Sequence, residues 1–206
     1  MAATNKKFAE LSEENEEEIN NERNCECNVF GIARNFHLIF KSNFCLYTGV
    51  MGGSHYTHNG GGSNYLCMPF DPIYDKVKAG NQGYSYIYGV EYEMNAHASL
   101  FPTNLHDHDA TCAVCEAEYR GSQLMIPARN VCPSGWNLEY KGYLMSDNIG
   151  HKRTQFICVD SDPEAVRGTH SNLNGGLLYV VESHCGSLPC LPYVQGQELT
   201  CAVCTK

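Results

Sequence analysis

The sequence predicts a mainly β, disulfide-rich fold made of two similar modules of about ninety residues each, packed about a pseudo-twofold axis. Three observations lead there. Twelve of the 206 residues are cysteine, a density typical of secreted, disulfide-stapled proteins. The patterned stretches are short aromatic or β-branched runs bounded by Gly, Asn and Ser, too short for helices. The second half of the chain also repeats the first at a shift of about ninety residues.

Four blocks carry the repeat in the same order. Tyr47 and Gly49 answer to Tyr140 and Gly142 at a shift of 93, and NYLCMPFDP (Asn64 to Pro72) answers to QFICVDSDP (Gln155 to Pro163) at 91. Tyr88, Val90 and Glu91 match Tyr179, Val181 and Glu182, and TCAVC at Thr111 to Cys115 recurs identically at Thr200 to Cys204 at a shift of 89. The modules run over residues 39–117 and 118–206. The joining stretch holds the apolar run Leu124-Met125-Ile126 and no Ser/Gly-rich linker, so the modules are expected to pack face to face.

Strands are expected in SYIYGVEY, GLLYVVE, QFICV and LEYKGYL. Long surface loops are expected in GGSHYTHNGGGSN and HSNLNGG, where Gly and Asn supply positive φ at little steric cost. Residues 1–38 read as an acidic arm, helical or disordered, with helical spacing through Phe8, Leu11 and Ile19.

Of the formal net charge of −9, the first 24 residues contribute −4, three cations against seven glutamates. An acidic chain is a poor partner for nucleic acid. No window approaches eighteen apolar residues, which excludes a membrane-spanning helix. The first 24 residues hold no secretory apolar stretch and point to the cytosol, whereas the cysteines point outside the cell. The cysteine frame is weighted more heavily, and an extracellular location is expected.

Cys132, Cys158, Cys185, Cys190, Cys201 and Cys204 give the second module an even six, while the first keeps counterparts of three, Cys67, Cys112 and Cys115. Disulfides are the leading reading. The rival is a four-thiolate zinc site formed by Cys112/Cys115 and Cys201/Cys204, which would suit an intracellular protein.

TCAVCEA, SQLMIPARNVCPSGWNLEYKGYLM and LTCAVCTK carry a resemblance to a known family. Over residues 45–206 the chain resembles the C-terminal non-collagenous domain of type IV collagen, and more closely the short-chain, spongin-type collagens of invertebrates. The resemblance implies an extracellular, mainly β, non-enzymatic domain active in matrix assembly. It also implies pairing of Cys132 with Cys204, Cys158 with Cys201, Cys185 with Cys190 and Cys67 with Cys112. Cys115 is left to Cys45 or another N-terminal cysteine. No Gly-X-Y repeat is present, so the resemblance does not extend to a collagen stem.

Two polar constellations are candidates for binding. His106-Asp107-His108-Asp109, taken as extended, would send the imidazoles to one face and the carboxylates to the other, to serve zinc or calcium respectively. His55, Tyr56, His58 and Asn59 lie in a glycine-rich loop and could hold a glycan by ring stacking and hydroxyl recognition. Gly150-His151-Lys152-Arg153 occupies the corresponding loop of the second module. Asp160 and Asp162 read as turn-capping groups rather than an acid and base pair. No nucleophile elbow or assembled triad is legible, so no enzyme activity and no cofactor are expected beyond the calcium or zinc above. The leading expectation is a secreted matrix-interaction protein that self-associates and binds a matrix protein or glycan. A lectin-like protein is the alternative, and an intracellular zinc-thiolate protein the third reading.

Overall fold

The computed structural model describes residues 44–117 and 119–206. The expectation for residues 1–38 lies outside them. Nine strands form one curled sheet: β1 (Phe44–Gly53), β2 (Leu66–Pro69), β3 (Tyr88–Tyr92), β4 (Thr111–Glu116), β5 (Gln123–Pro127), β6 (Asn137–Ser146), β7 (Ile157–Asp160), β8 (Gly176–Val180) and β9 (Thr200–Thr205). The helical content among these residues is one 3₁₀ segment, Asn95–Leu100. The mainly β expectation holds. Both CAVC segments, left unassigned by pattern, are strands, and the joining stretch supplies β5, which pairs with β9.

Two strands organise the sheet. β1 pairs along one edge with β2 and along the other with β4 and then β3. β6 pairs along one edge with β7 and along the other with β9 and then β8. In a flat sheet, strands on opposite sides of a third lie roughly 9.5 Å apart. Yet Cys67 of β2 and Cys112 of β4 are disulfide-bonded with Cα atoms 5.6 Å apart, and Cys158 of β7 and Cys201 of β9 repeat this at 5.6 Å. The sheet must therefore fold sharply about β1 and about β6.

The sequence explains where it folds. Gly49 and Gly142 sit at the bends, and a Cβ at either would overlap the backbone carbonyl of Met68 or Val159 on the adjoining strand. Two residues earlier, the Tyr47 hydroxyl donates to the Cys67 carbonyl (3.3 Å) and the Tyr140 hydroxyl to the Cys158 carbonyl (3.1 Å). The repeated Tyr-x-Gly is thus a device in which glycine admits the neighbouring strand and tyrosine ties it down.

The halves are not independent beads. β3 and β8 pair in parallel, with Val90 opposite Gly176 and Tyr92 opposite Leu178. The main core draws Met51, Tyr65, Val90, Tyr92 and Met94 from the first half and Met145, Ile157, Val159, Leu178 and Val180 from the second. A smaller core under β6 joins Tyr140, Leu144 and Val203 to the Cys158–Cys201 bridge.

Two more bridges complete the described set, Cys132–Cys204 and Cys185–Cys190, so all four complete pairings implied by the resemblance are present. Cys115 is also disulfide-bonded, but Cys45 is a free thiol, which corrects the alternative that paired them. Cys45 faces Cys115 across β1 and β4 as Leu138 faces Cys204 across β6 and β9. In the second case the bridge to Cys204 arrives from Cys132, upstream of the strand, and the opposed Leu138 takes no part in it. The other alternative, an N-terminal cysteine, lies outside the described residues. The four-thiolate zinc site is not formed, because Cys112, Cys115, Cys201 and Cys204 are all bridged.

Replacing Gly142 by Ala forces β7 away from β6, and we expect a loss of about 3 kcal/mol or more. Removing the Cys158–Cys201 bridge by double Ser substitution is expected to cost about 2–5 kcal/mol. Urea unfolding of each variant checks both, and a Gly142→Ala protein as stable as wild type contradicts the bend.

Candidate functional site

The connections that follow β2 and β7, two strands matched by the sequence repeat, behave differently. The β7-to-β8 connection, residues 161–175, is strapped across the first half. Val166 N donates to Asp109 O (2.9 Å), Ala165 bridges to Ala110, and the Tyr92 and Thr111 hydroxyls both donate to Glu164 O (3.2 Å each). Buried Glu91 accepts the Leu173 and Asn174 amides on Oε1, both at 2.9 Å. The β2-to-β3 connection, residues 70–87, is exposed throughout. It holds no strand, its side-chain hydrogen bonds are local, and it presents Phe70, Ile73, Tyr74, Val77 and Tyr84 to solvent, with Ile73 97% and Tyr84 93% exposed. The expected SYIYGVEY strand is accordingly shortened to Tyr88–Tyr92.

On the second half, Glu182 bridges to Glu198 as Glu91 bridges to Asp109 on the first. Among the described residues no strap covers the Glu182 carboxylate, which is about half exposed and meets His97 Nε2 at 3.2 Å. Beside it lies a cleft lined by Ser183, Val194, Glu198, Leu199, Thr200 and Arg129, among others.

The expected His-Asp-His-Asp face does not form, because the segment is a turn rather than an extended strand. His108 N donates to Leu105 O (3.0 Å), Asp107 N to Tyr92 O (2.9 Å), and Asp107 has a left-handed φ of 62° that breaks the alternation. His106 and Asp107 are brought together, joined by Glu93, which the sequence reading missed. His106 Nδ1 lies 3.3 Å from Glu93 Oε2 and 3.7 Å from Asp107 Oδ1. These three are the His/Cys/Asp/Glu side chains whose ligand atoms converge among the described residues. His108 turns away, its Nδ1 on the His106 carbonyl at 2.9 Å and its ring toward His170. Asp109 is held by its own amide, which donates to Thr169 Oγ1 (3.1 Å). Glu91 and Glu93 alternate on β3 and its extension, and this acidic alternation is the signal that could have found Glu93. Burial raises the carboxyl pKa of Glu91, Glu93 and Asp109, and at Glu93 the His106 imidazole opposes the shift.

The glycine-rich loop packs against the second half rather than standing free. Tyr56 N donates to Gly175 O and Tyr56 O accepts from Lys152 N, both at 3.1 Å. The His55 ring stacks on Tyr56 and on His58, each at 4.8 Å, while His151 meets Tyr56 at 4.6 Å. Burial, and then the neighbouring His58, lower the His55 pKa. The Tyr56 ring thus already has imidazoles as neighbours, and Asn59 lies exposed at the loop tip. His151 Nδ1 is 2.8 Å from Asp147, whose carboxyl pKa burial raises against that contact. Beside both clusters stands Tyr179, its phenol pushed up to about 12 by burial and by nearby Glu93 and Asp147.

Compared with known proteins, the chain matches no family model, no curated protein and no solved structure. Four disulfides are the mark of a secreted or otherwise oxidising environment, and no helix among the described residues is long and apolar enough to cross a membrane.

Asp160 caps its turn, accepting the Asp162 amide on Oδ1 at 2.8 Å, and burial raises its pKa despite that bond. A carboxyl with a raised folded pKa contributes stability below its unfolded pKa, which is lost as pH rises through the folded value. Asp160→Asn keeps the acceptor and removes the buried charge. We expect it to match or exceed wild-type stability at pH 7, with the difference closing as pH falls below the ordinary aspartate range, near ~3.9. Urea unfolding across that range checks the sign, and a wild-type advantage at neutral pH overturns it.

Proposed function

We propose that this chain is a secreted, non-enzymatic structural protein, a tandem duplication about a pseudo-twofold axis, that self-associates into extracellular matrix. The duplication is supported by equivalent bonds at the shifts seen in the sequence. Tyr92 N to His108 O and Ser183 N to Gln197 O correspond, as do Ala110 N to Val90 O and Leu199 N to Val181 O. Met51 N to Ala110 O likewise matches Leu144 N to Leu199 O. Left-handed Asp107 (φ 62°) falls on left-handed Gly196 (φ 72°).

One observation carries the assembly reading. The strap of the second half fills a seat on the first, whereas the connection matched to it by the repeat, residues 70–87, is exposed and the matching seat beside Glu182 is uncovered among the described residues. The occupant that fits is the apolar arm of a second copy, whose residues Gln82 and Gly83 correspond at the 91-residue shift to Leu173 and Asn174, the residues that meet Glu91. Burying Ile73, Tyr74 and Tyr84 in such a contact would contribute roughly 1.5–3 kcal/mol per side chain before the cost of association. Because arm and seat are different surfaces, the contact is head-to-tail and builds a ring or a filament. The glycan-binding alternative is less well supported, since the faces of His55 and Tyr56 already pack on neighbouring rings.

Light scattering coupled to size exclusion tests this. The oxidised protein is expected to run above monomer mass with concentration dependence, and Ile73→Ser/Tyr74→Ser to run as a folded monomer. A wild-type monomer at tens of micromolar, or an unchanged mass in the double variant, contradicts the reading.

A further inference from the structure

Glu93, His106 and Asp107 are placed by backbone rather than by chance side-chain approach. Glu93 N donates to Leu178 O of β8 (2.8 Å), His106 N to Asn104 Oδ1 (3.1 Å) and Asp107 N to Tyr92 O (2.9 Å). The three donors therefore come from one strand end and one tight turn, both anchored to the shared core. Two of the converging atoms, His106 Nδ1 and Asp107 Oδ1, are buried without a hydrogen-bond partner. A buried polar atom left unpartnered costs about 1–3 kcal/mol, so a site that keeps two of them side by side is shaped for a ligand. Close by, Glu91 is 2% exposed and its Oε2 is likewise unpartnered, which adds negative potential around the cluster.

The spacing identifies the ligand class. Donors at about 2.0–2.1 Å from a tetrahedral ion lie roughly 3.3–3.4 Å from one another. The observed separations are 3.3 Å for Glu93 to His106 and 3.7 Å for His106 to Asp107. Calcium and magnesium prefer an all-oxygen shell, whereas one imidazole with two carboxylates suits a first-row divalent ion. We propose that Glu93 Oε2, His106 Nδ1 and Asp107 Oδ1 bind zinc(II), with water at the fourth position. The ion ties the 105–108 turn to the end of β3. His108 and Asp109, paired with these residues in the sequence reading, are not ligands. This inference does not depend on self-association.

Zinc chloride is titrated calorimetrically into the oxidised full chain in chelator-free buffer. About one ion per chain is expected to bind, with affinity falling at least tenfold in Glu93→Gln and in His106→Ala and unchanged in His58→Ala. Carbethoxylation of the wild-type protein supplies a readout that needs no variant: zinc, but not calcium, is expected to protect His106 from modification. No zinc uptake, full affinity in both ligand variants, loss of binding in His58→Ala, or an unprotected His106 overturns the assignment.

Discussion

The fold depends on two sharp bends, one in β1 and one in β6, each made by a glycine and locked by a disulfide. At each bend the strands on opposite sides of the bent one approach until their cysteine Cα atoms are 5.6 Å apart, Cys67 to Cys112 and Cys158 to Cys201. A side chain at Gly49 or Gly142 would occupy the space the neighbouring carbonyl needs. Once β2 is folded over β1 and β7 over β6, the inner faces enclose Met51, Val90, Met145 and Val159 in one core. Closing loops of 45 and 43 residues restricts the unfolded chain by about 4 kcal/mol each in the entropy model, a large share of an ordinary domain's stability.

Those bends also set up the surface on which the proposed assembly rests. They leave β3 and β8 free to pair in parallel, so the two halves become one body. The connection after β7 then lies across the first half and covers Glu91, while the connection after β2 projects with its aromatic and aliphatic side chains in solvent. The two connections matched by the sequence repeat thus differ, the one after β7 being seated on the first half and the one after β2 exposed. The proposed assembly rests on that difference.

Much of this was legible because it rests on residues with a single physical use. Tyr47-x-Gly49 and Tyr140-x-Gly142 were visible as a repeat and the four complete bridges were implied by the family resemblance, while the bends themselves appear only in the structure. β1 was not among the expected strands, and its last two residues, Gly52 and Gly53, fell in the expected glycine-rich loop, their strand state being imposed by pairing with β2 and β3. The His106–Asp109 segment misled because strand alternation was assumed, and one left-handed residue, Asp107, turns His106 and His108 apart. Glu93 was invisible as a site residue because it is thirteen positions from His106 and only the fold joins them. Cys45 was one of the partners the resemblance left open for Cys115, whereas it lies opposite Cys115 across β1 and β4 as a free thiol.

The central claim is the disulfide-locked bend, and peptide mapping of the native, non-reduced protein by mass spectrometry tests it most directly. The account predicts peptides linked Cys67–Cys112, Cys158–Cys201, Cys132–Cys204 and Cys185–Cys190, with Cys45 alkylated as a free thiol. Recovery of Cys67 or Cys158 linked elsewhere, or of the two CAVC segments as free thiols, would contradict it.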